Sequence, residues 1–225
     1  MKTTRQPKYI IVKEAVIRKN ILSIFVCALL LLIVVSPAHS ANGLYVGANL
    51  GLALARDADV QDSSPKITFK ADPGYALGAA VGYGFDYVRG EAEVSFQKNN
   101  LNKVGVAGIG EIGISGDVSN LAFLLNGYFD IKTGTALTPY ISAGIGVDRV
   151  EISAINVPSY GALTSKSYSD TVFAYQVGAG VGFAVTEKVT IDLKYRYFGT
   201  SDPKFDVVKT TNSSNNIYLG VRYTF

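Results

Sequence analysis

Apolar residues alternate with small or polar ones, at a period of two, along eight stretches between residue 44 and the end of the chain. The sharpest is the last, NIYLGVRYTF over 216–225. There Ile217, Leu219, Val221, Tyr223 and Phe225 share one parity, and Tyr218, Gly220, Arg222 and Thr224 share the other. That period predicts a strand with one apolar face and one small or polar face. The pattern recurs over 44–54, 75–86, 88–97, 120–130, 139–148, 173–184 and 189–198. Each stretch has the roughly 9–11 residues that a tilted strand needs to cross a bilayer core. The connections alternate in length: 56–73, 98–119, 150–171 and 199–214 are long, whereas 86–87, 131–138 and 185–188 are short. Long loops at one end and short turns at the other predict an all-β, eight-stranded antiparallel up-and-down transmembrane β-barrel. The long segment 98–119, rich in Gly, Val and Ile, suits a hairpin that extends the third and fourth strands above the membrane.

Parity alone does not say which face is inside. A soluble barrel of lipocalin type would bury the apolar parity and expose the charges. Three features favour lipid outside. The polar parity is crowded with glycine, as at Gly144, Gly146, Gly178, Gly180 and Gly182. Glycine suits a cramped interior, where it is expected to make room for long side chains reaching across the lumen. Large aromatics stand near stretch ends, at Tyr75, Tyr83, Phe85, Phe129, Phe173, Phe183 and Tyr197, as interfacial girdles do. The last residue, Phe225, is an aromatic that a paired, lipid-facing edge accommodates better than a wet one.

The first 40 residues read differently. Lys2, Arg5, Lys8, Lys13, Arg18 and Lys19 precede an apolar run over 21–35, followed by small residues at Ala38 and Ser40. This is the layout of a Sec signal peptide over 1–40, cleaved between Ser40 and Ala41, with the barrel domain over 41–225. The apolar run is short for a retained membrane anchor of about 20 residues. Removing the leader changes the charge: six of 21 basic and one of 18 acidic residues lie in it, leaving 15 and 17. The basic balance of the whole chain therefore gives no argument for nucleic-acid binding.

The segments LTPYISAGIGVDRV (137–150), FAYQVGAGVGFAV (173–185), IDLKYRYFGT (191–200) and IYLGVRYTF (217–225) resemble the small outer-membrane barrel and surface-antigen family. That family is related in architecture to the OmpA-type transmembrane domain. The resemblance implies location in the bacterial outer membrane, among outer-membrane lipid and lipopolysaccharide. No peptidoglycan-binding domain is expected, because the chain stops at the eighth strand. The alternation that ends at Tyr223 and Phe225 resembles the C-terminal signal read by the outer-membrane assembly machinery.

Candidate chemistry is sparse. The single Cys and single His, Cys27 and His39, both lie in the leader. Triads built on imidazole or thiolate, and the usual zinc sites, lack their groups beyond residue 41. No enzymatic activity and no cofactor are expected. Gly108, Gly110 and Gly113 match GxGxxG, but no buried parallel strand and helix frame them, so a dinucleotide site is not expected. Asp57, Asp59 and Asp62 read as a solvated acidic loop rather than a Ca²⁺ site.

The inward charges are the strongest constellation. Arg89, Glu91 and Glu93 come from the third strand, Asp192, Lys194 and Arg196 from the seventh, and Arg222 from the eighth. In an eight-stranded closure the third and seventh strands lie on opposite walls, so these side chains are expected to meet, with Asp148 nearer the outer end. Small barrels are filled by their own side chains. The expected role is therefore a monomeric, structural or surface-interaction protein, closed by this charge cluster and meeting an extracellular ligand through its loops. The alternative is a small low-conductance porin.

Overall fold

The computed structural model describes residues 42–60, 65–157, 161–162, 167–205, 208–209 and 211–225. The expected leader and its Ser40–Ala41 junction lie outside the described residues. Eight long strands form the body: β1 (Gly43–Ala55), β2 (Gly74–Phe85), β3 (Val88–Val106), β4 (Gly110–Asp130), β5 (Leu137–Ile152), β6 (Tyr168–Ala184), β7 (Val189–Thr200) and β8 (Ser213–Thr224). Each pairs antiparallel with its sequence neighbour. β8 returns to β1 in a register running from Tyr45 opposite Thr224 to Ala55 opposite Ser214. The ring is closed, so no barrel strand is left with an unpaired edge, as a hydrocarbon environment requires.

The parity reading holds along every strand. On β1, Leu44, Val46, Leu50, Leu52 and Leu54 are exposed while Tyr45 and Ala53 are buried. The outward residues form an unbroken apolar band that water would not tolerate and lipid does. Aromatics edge it at both ends. Tyr75 packs near Phe96 and Tyr175 near Tyr197 at the long-loop end; Tyr87 packs near Phe129 and Tyr223 near Phe225 at the short-turn end. On β2 the belts are separated by the residues from Tyr75 to Phe85, which at about 3.3 Å per residue and about 40° of tilt spans about 25 Å. That matches the apolar height of outer-membrane barrels.

The strands outrun the bilayer at the long-loop end. β3 and β4 continue as a hairpin to the tip at 107–109, with a register shift between Leu101 and Lys103. The segment expected as a long connection is therefore largely strand. Ile67–Ala71, inside the first long connection, pairs with the top of β3, and Ala58–Asp59 pairs with it in turn. The added strands are worth forming because they bury apolar surface above the membrane: Leu101, Val104, Ile114, Ile155 and Val157 make a separate small core flanked by Ile67, Phe69 and Ile152.

Candidate functional site

Two regions carry polar chemistry: the lumen and the cap above it. Short turns at one end of the barrel set the register that aligns the lumen. The two-residue turn Asp86-Tyr87 joins β2 to β3, with Asp86 in the left-handed region at φ 53. Short polar side chains tolerate that conformation best after glycine.

From the short-turn end upward, the lumen holds three ion pairs among the described residues. Arg89 donates from Nε and Nη2 to the two oxygens of Asp130 at 2.7 and 2.9 Å. Its guanidinium lies 4.3 Å from the ring centre of Tyr128 and 5.0 Å from that of Tyr140. Arg222 reaches Asp192 at 3.3 Å. One step higher, Arg196 on β7 donates to both oxygens of Glu93 on β3 at 2.6 and 2.8 Å, crossing between opposite walls. Both members of this pair are buried. Asn126 also donates to Glu93, at 2.7 Å.

Glu91 makes no ion pair among the described residues. It is held instead by the hydroxyls of Tyr45 and Tyr128 at 3.0 and 2.8 Å and by Asn126 at 3.2 Å. Lys194 is buried, makes no ion pair among the described residues, and lies 5.3 Å from the Tyr218 ring centre. Asp148 is fully buried but stands apart. Asn120 donates to its Oδ2, and Oδ1 has no hydrogen-bond partner among the described residues. A small apolar layer of Ala122, Leu124, Ala174 and Phe198 also fills the lumen. Higher still the lining is neutral: Gln97 accepts from Ser214 and Asn216, both at 3.1 Å, and donates to Asn99 at 2.9 Å.

Two features of this lumen escaped sequence reasoning. Asp130 is a full member of the cluster. It shares inward parity with Asn126 and Tyr128, so the signal was present, but only the register that sets Val88 opposite Phe129 brings it to Arg89. The second is a set of inward tyrosines, Tyr45, Tyr128, Tyr140 and Tyr218, all buried. They correct the expectation about glycine. A Cβ on Gly82 would come within 2.3 Å of the Tyr45 ring, and one on Gly180 within 2.6 Å of Tyr140. Here glycine makes room for side chains of the adjoining strand, which lean over it, rather than for chains from the far wall.

Two small cavities lie among the described residues of the lumen. A cavity of about 20 Å³ is lined by Tyr45, Arg89, Glu91, Asp192, Lys194 and Arg222 among others. A second of about 10 Å³ lies by Gln97, Asn120, Arg196 and Tyr218. Each has room for about one water.

The cap carries its own charges. Lys66 pairs with Asp59 at 2.9 Å, and Thr68 donates to the same carboxylate at 2.7 Å. Hydrogen bonding by Thr68 and Lys66 holds the Asp59 carboxyl below its usual range. Lys70 and Lys103 share Glu111 at 2.7 and 3.1 Å and lower its pKa. Asp62 lies outside the described residues, and no group of three potential metal ligands occurs among those described. Gly108 and Gly110, at φ +83 and +118, simply turn the hairpin tip.

A closed antiparallel ring with an apolar outer band and a polar, filled lumen defines a transmembrane β-barrel. Residues 25–225 match the sequence family described as outer membrane protein beta-barrel domain, and the chain belongs to it. It is 28% identical to outer membrane protein PagN of Salmonella typhimurium, over 89% of this chain and 98% of that protein. It is 26% identical to a 22 kDa outer membrane protein of Rhizobium leguminosarum, over 85% of this chain and 81% of that one. Among solved structures, Neisserial surface protein A superposes with a TM-score of 0.56 at 22% identity, covering 83% of this chain and all of that one (100%). The protein is an all-β barrel of the bacterial outer membrane.

Proposed function

We propose that the protein is a closed, non-catalytic barrel whose working surface is the folded extracellular cap. The observation that carries this reading is the Glu93–Arg196 pair, which spans the lumen between β3 and β7 with both side chains buried. Arg89–Asp130 and Arg222–Asp192 fill the lumen below it, and Gln97, Asn99 and Asn216 fill it above. The lumen is thereby plugged, and the folded cap above it is available for contact with an extracellular ligand. Long connections on a rigid scaffold are where binding is usually carried. Here the connections have strands and a core of their own, so the contact surface is pre-ordered, which lowers the cost of binding. The leader over 1–40, monomeric state, and assembly through Tyr223 and Phe225 belong to the same reading. The absence of His and Cys beyond residue 41 supports a role without catalysis.

A second reading, a narrow gated path, is favoured by one observation: a small cavity lies below the Glu93–Arg196 pair and another above it. One variant separates the two. Replacing Glu93 by Ala leaves Arg196 buried without its partner, at a cost of about 3–5 kcal/mol. For a plug, the expected outcome is a lowered unfolding temperature in detergent with no rise in planar-bilayer conductance. A large conductance gain in E93A identifies the pair as a gate. For the cap, deleting 104–112 is expected to abolish ligand binding by intact cells while the barrel still assembles.

A further inference from the structure

The hairpin at the top of β3 and β4 ends in a turn whose composition runs against its exposure. Between Lys103 and Glu111 the chain reads Val104-Gly105-Val106-Ala107-Gly108-Ile109-Gly110, without a charged or polar side chain. Tight hairpin turns in water favour Asn-Gly or Asp-Gly; this one carries Ile109. Ile109 is 73% exposed, more than Phe85 at 68%, the most exposed large apolar residue of the lipid-facing wall. A Cβ added at Gly108, Gly110 or Gly113 would meet nothing within 4 Å, so open space surrounds the tip. Ile67–Ala71 flanks the hairpin on β3, and Ala107 N–H donates to the Lys66 carbonyl at 3.0 Å. These three segments make a finger with two unlike faces. Phe69, Val104 and Ile112 share one cross-strand row, and Ile67, Val106 and Gly110 share another on the same face. Lower down, that face covers the cap core through Val104. Above the core Ile112 is exposed, and Ile67 and Val106 are only half-buried. The opposite face carries Thr68, Lys70, Lys103 and Glu111. Charges form a collar below the tip: Lys66 pairs with Asp59, Lys70 and Lys103 share Glu111, and Asp57 lies within electrostatic range of Lys70.

The finger is out of reach of the bilayer that holds the barrel. From Phe96, in the upper aromatic belt, β3 continues to Val106, which at about 3.3 Å per residue and about 40° of tilt lifts the tip roughly 25 Å above the belt. Exposed apolar surface of this kind marks an interaction site. The tip is convex and its side chains offer no hydrogen bonds, so it fits a medium that yields around it rather than a preformed polar pocket. Its collar holds three lysines against three carboxylates. That balance complements zwitterionic headgroups, each of which carries a phosphate for a lysine and an ammonium for a carboxylate. Elements that lie in a membrane interface combine the same two parts, an apolar side that enters and a charged side that stays at headgroup level. We propose that the tip inserts into a zwitterionic phospholipid bilayer apposed to the protein's own. Ile109 and Ile112 enter among the acyl chains, and Lys66, Lys70 and Lys103 meet the phosphates. This inference rests on the reading of the cap as the working surface and names the chemistry of its partner.

The full chain, folded into nanodiscs and passed over immobilised phosphatidylcholine vesicles, tests it, with empty nanodiscs as the blank. Wild type is expected to bind. Ile109→Asp is expected to bind at least about tenfold more weakly, because an apolar side chain leaves the acyl chains and a charge takes its place. Ile109→Leu is expected to bind like wild type. Adding phosphatidylglycerol to the vesicles is expected to change binding by less than about threefold, because the collar is balanced. Heat-modified gel mobility reports that each variant is folded. Equal binding of wild type and I109D overturns the proposal. So does binding that appears only with phosphatidylglycerol, which would assign it to the lysines alone. Wild type that binds intact target cells but not pure lipid vesicles also overturns it, and transfers the tip to a protein partner. That last result leaves the cap's role standing, since deletion of 104–112 tests that role on intact cells by itself.

Discussion

Glu111 illustrates how much a single residue's setting decides. Two lysines from different strands, Lys70 and Lys103, converge on its carboxylate and depress its pKa. A carboxyl with a lowered folded pKa contributes stability that is fully present above its unfolded value, about 4.3, and is lost as pH falls through the folded one. Asp59, lowered by Thr68 and Lys66, acts in the same direction. The cap is therefore expected to loosen selectively below about pH 4, while the barrel stays closed. Amide exchange over 101–114 should rise on acidification in the wild type, and Glu111→Gln should show the loosened behaviour already at neutral pH. Exposed pairs are individually weak, so a local probe, not the global unfolding temperature, is the measurement to use. Inward parity was legible for Arg89, Glu93, Arg196 and Arg222 from the stripe alone. Their partners were not: Asp130 reaches Arg89, and Glu91 goes to two tyrosines rather than to a cation. Parity chooses a face, whereas a partner depends on register between strands and on the stagger around the ring.

At the scale of elements, β8 is the strand whose sequence and role agree most closely. Its alternation is strict, and its pairing with β1 completes the ring. Phe225 adds one backbone bond, its N–H donating to the Leu44 carbonyl at 3.0 Å, and its ring packs on Tyr223. Deleting Phe225 is expected to cost the refolded barrel only about 1 kcal/mol, the net value of one hydrogen bond. A larger loss is expected in cells, where the terminal aromatic is proposed to be read during assembly. Comparable amounts of wild type and deletion variant in isolated outer membranes would count against that role. The upper parts of β3 and β4 were harder to read. Over 98–119 the period is blurred by Gly105, Gly108, Gly110 and Gly113 and by the register shift between Leu101 and Lys103. A bulge inverts the parity that identifies a strand, so a real strand there scans as a loop. Ile67–Ala71 was hidden for another reason: its pairing partner is thirty or more residues away in sequence, on top of β3.

For the whole molecule the testable matter is direction across the membrane. With long connections outside, Lys66 and Lys103 belong to the cap, while Lys132 and Lys188 belong to the short turns. An amine reagent that cannot cross membranes is expected to label Lys66, Lys103 and Lys166 on whole cells, Lys166 lying outside the described residues. Lys132 and Lys188 should react only after permeabilisation; the reverse pattern would invert the topology. The sequence by itself determined the class, the eight strands, their order and the face each turns to lipid. These follow from a period of two and from turn length, which are local and survive without knowledge of any contact. Only the tertiary structure decided which inward charges pair, where glycine yields to a neighbouring tyrosine, and that the cap has a core of its own. Those outcomes depend on how the closed ring staggers one strand against the next, and no single strand carries that information.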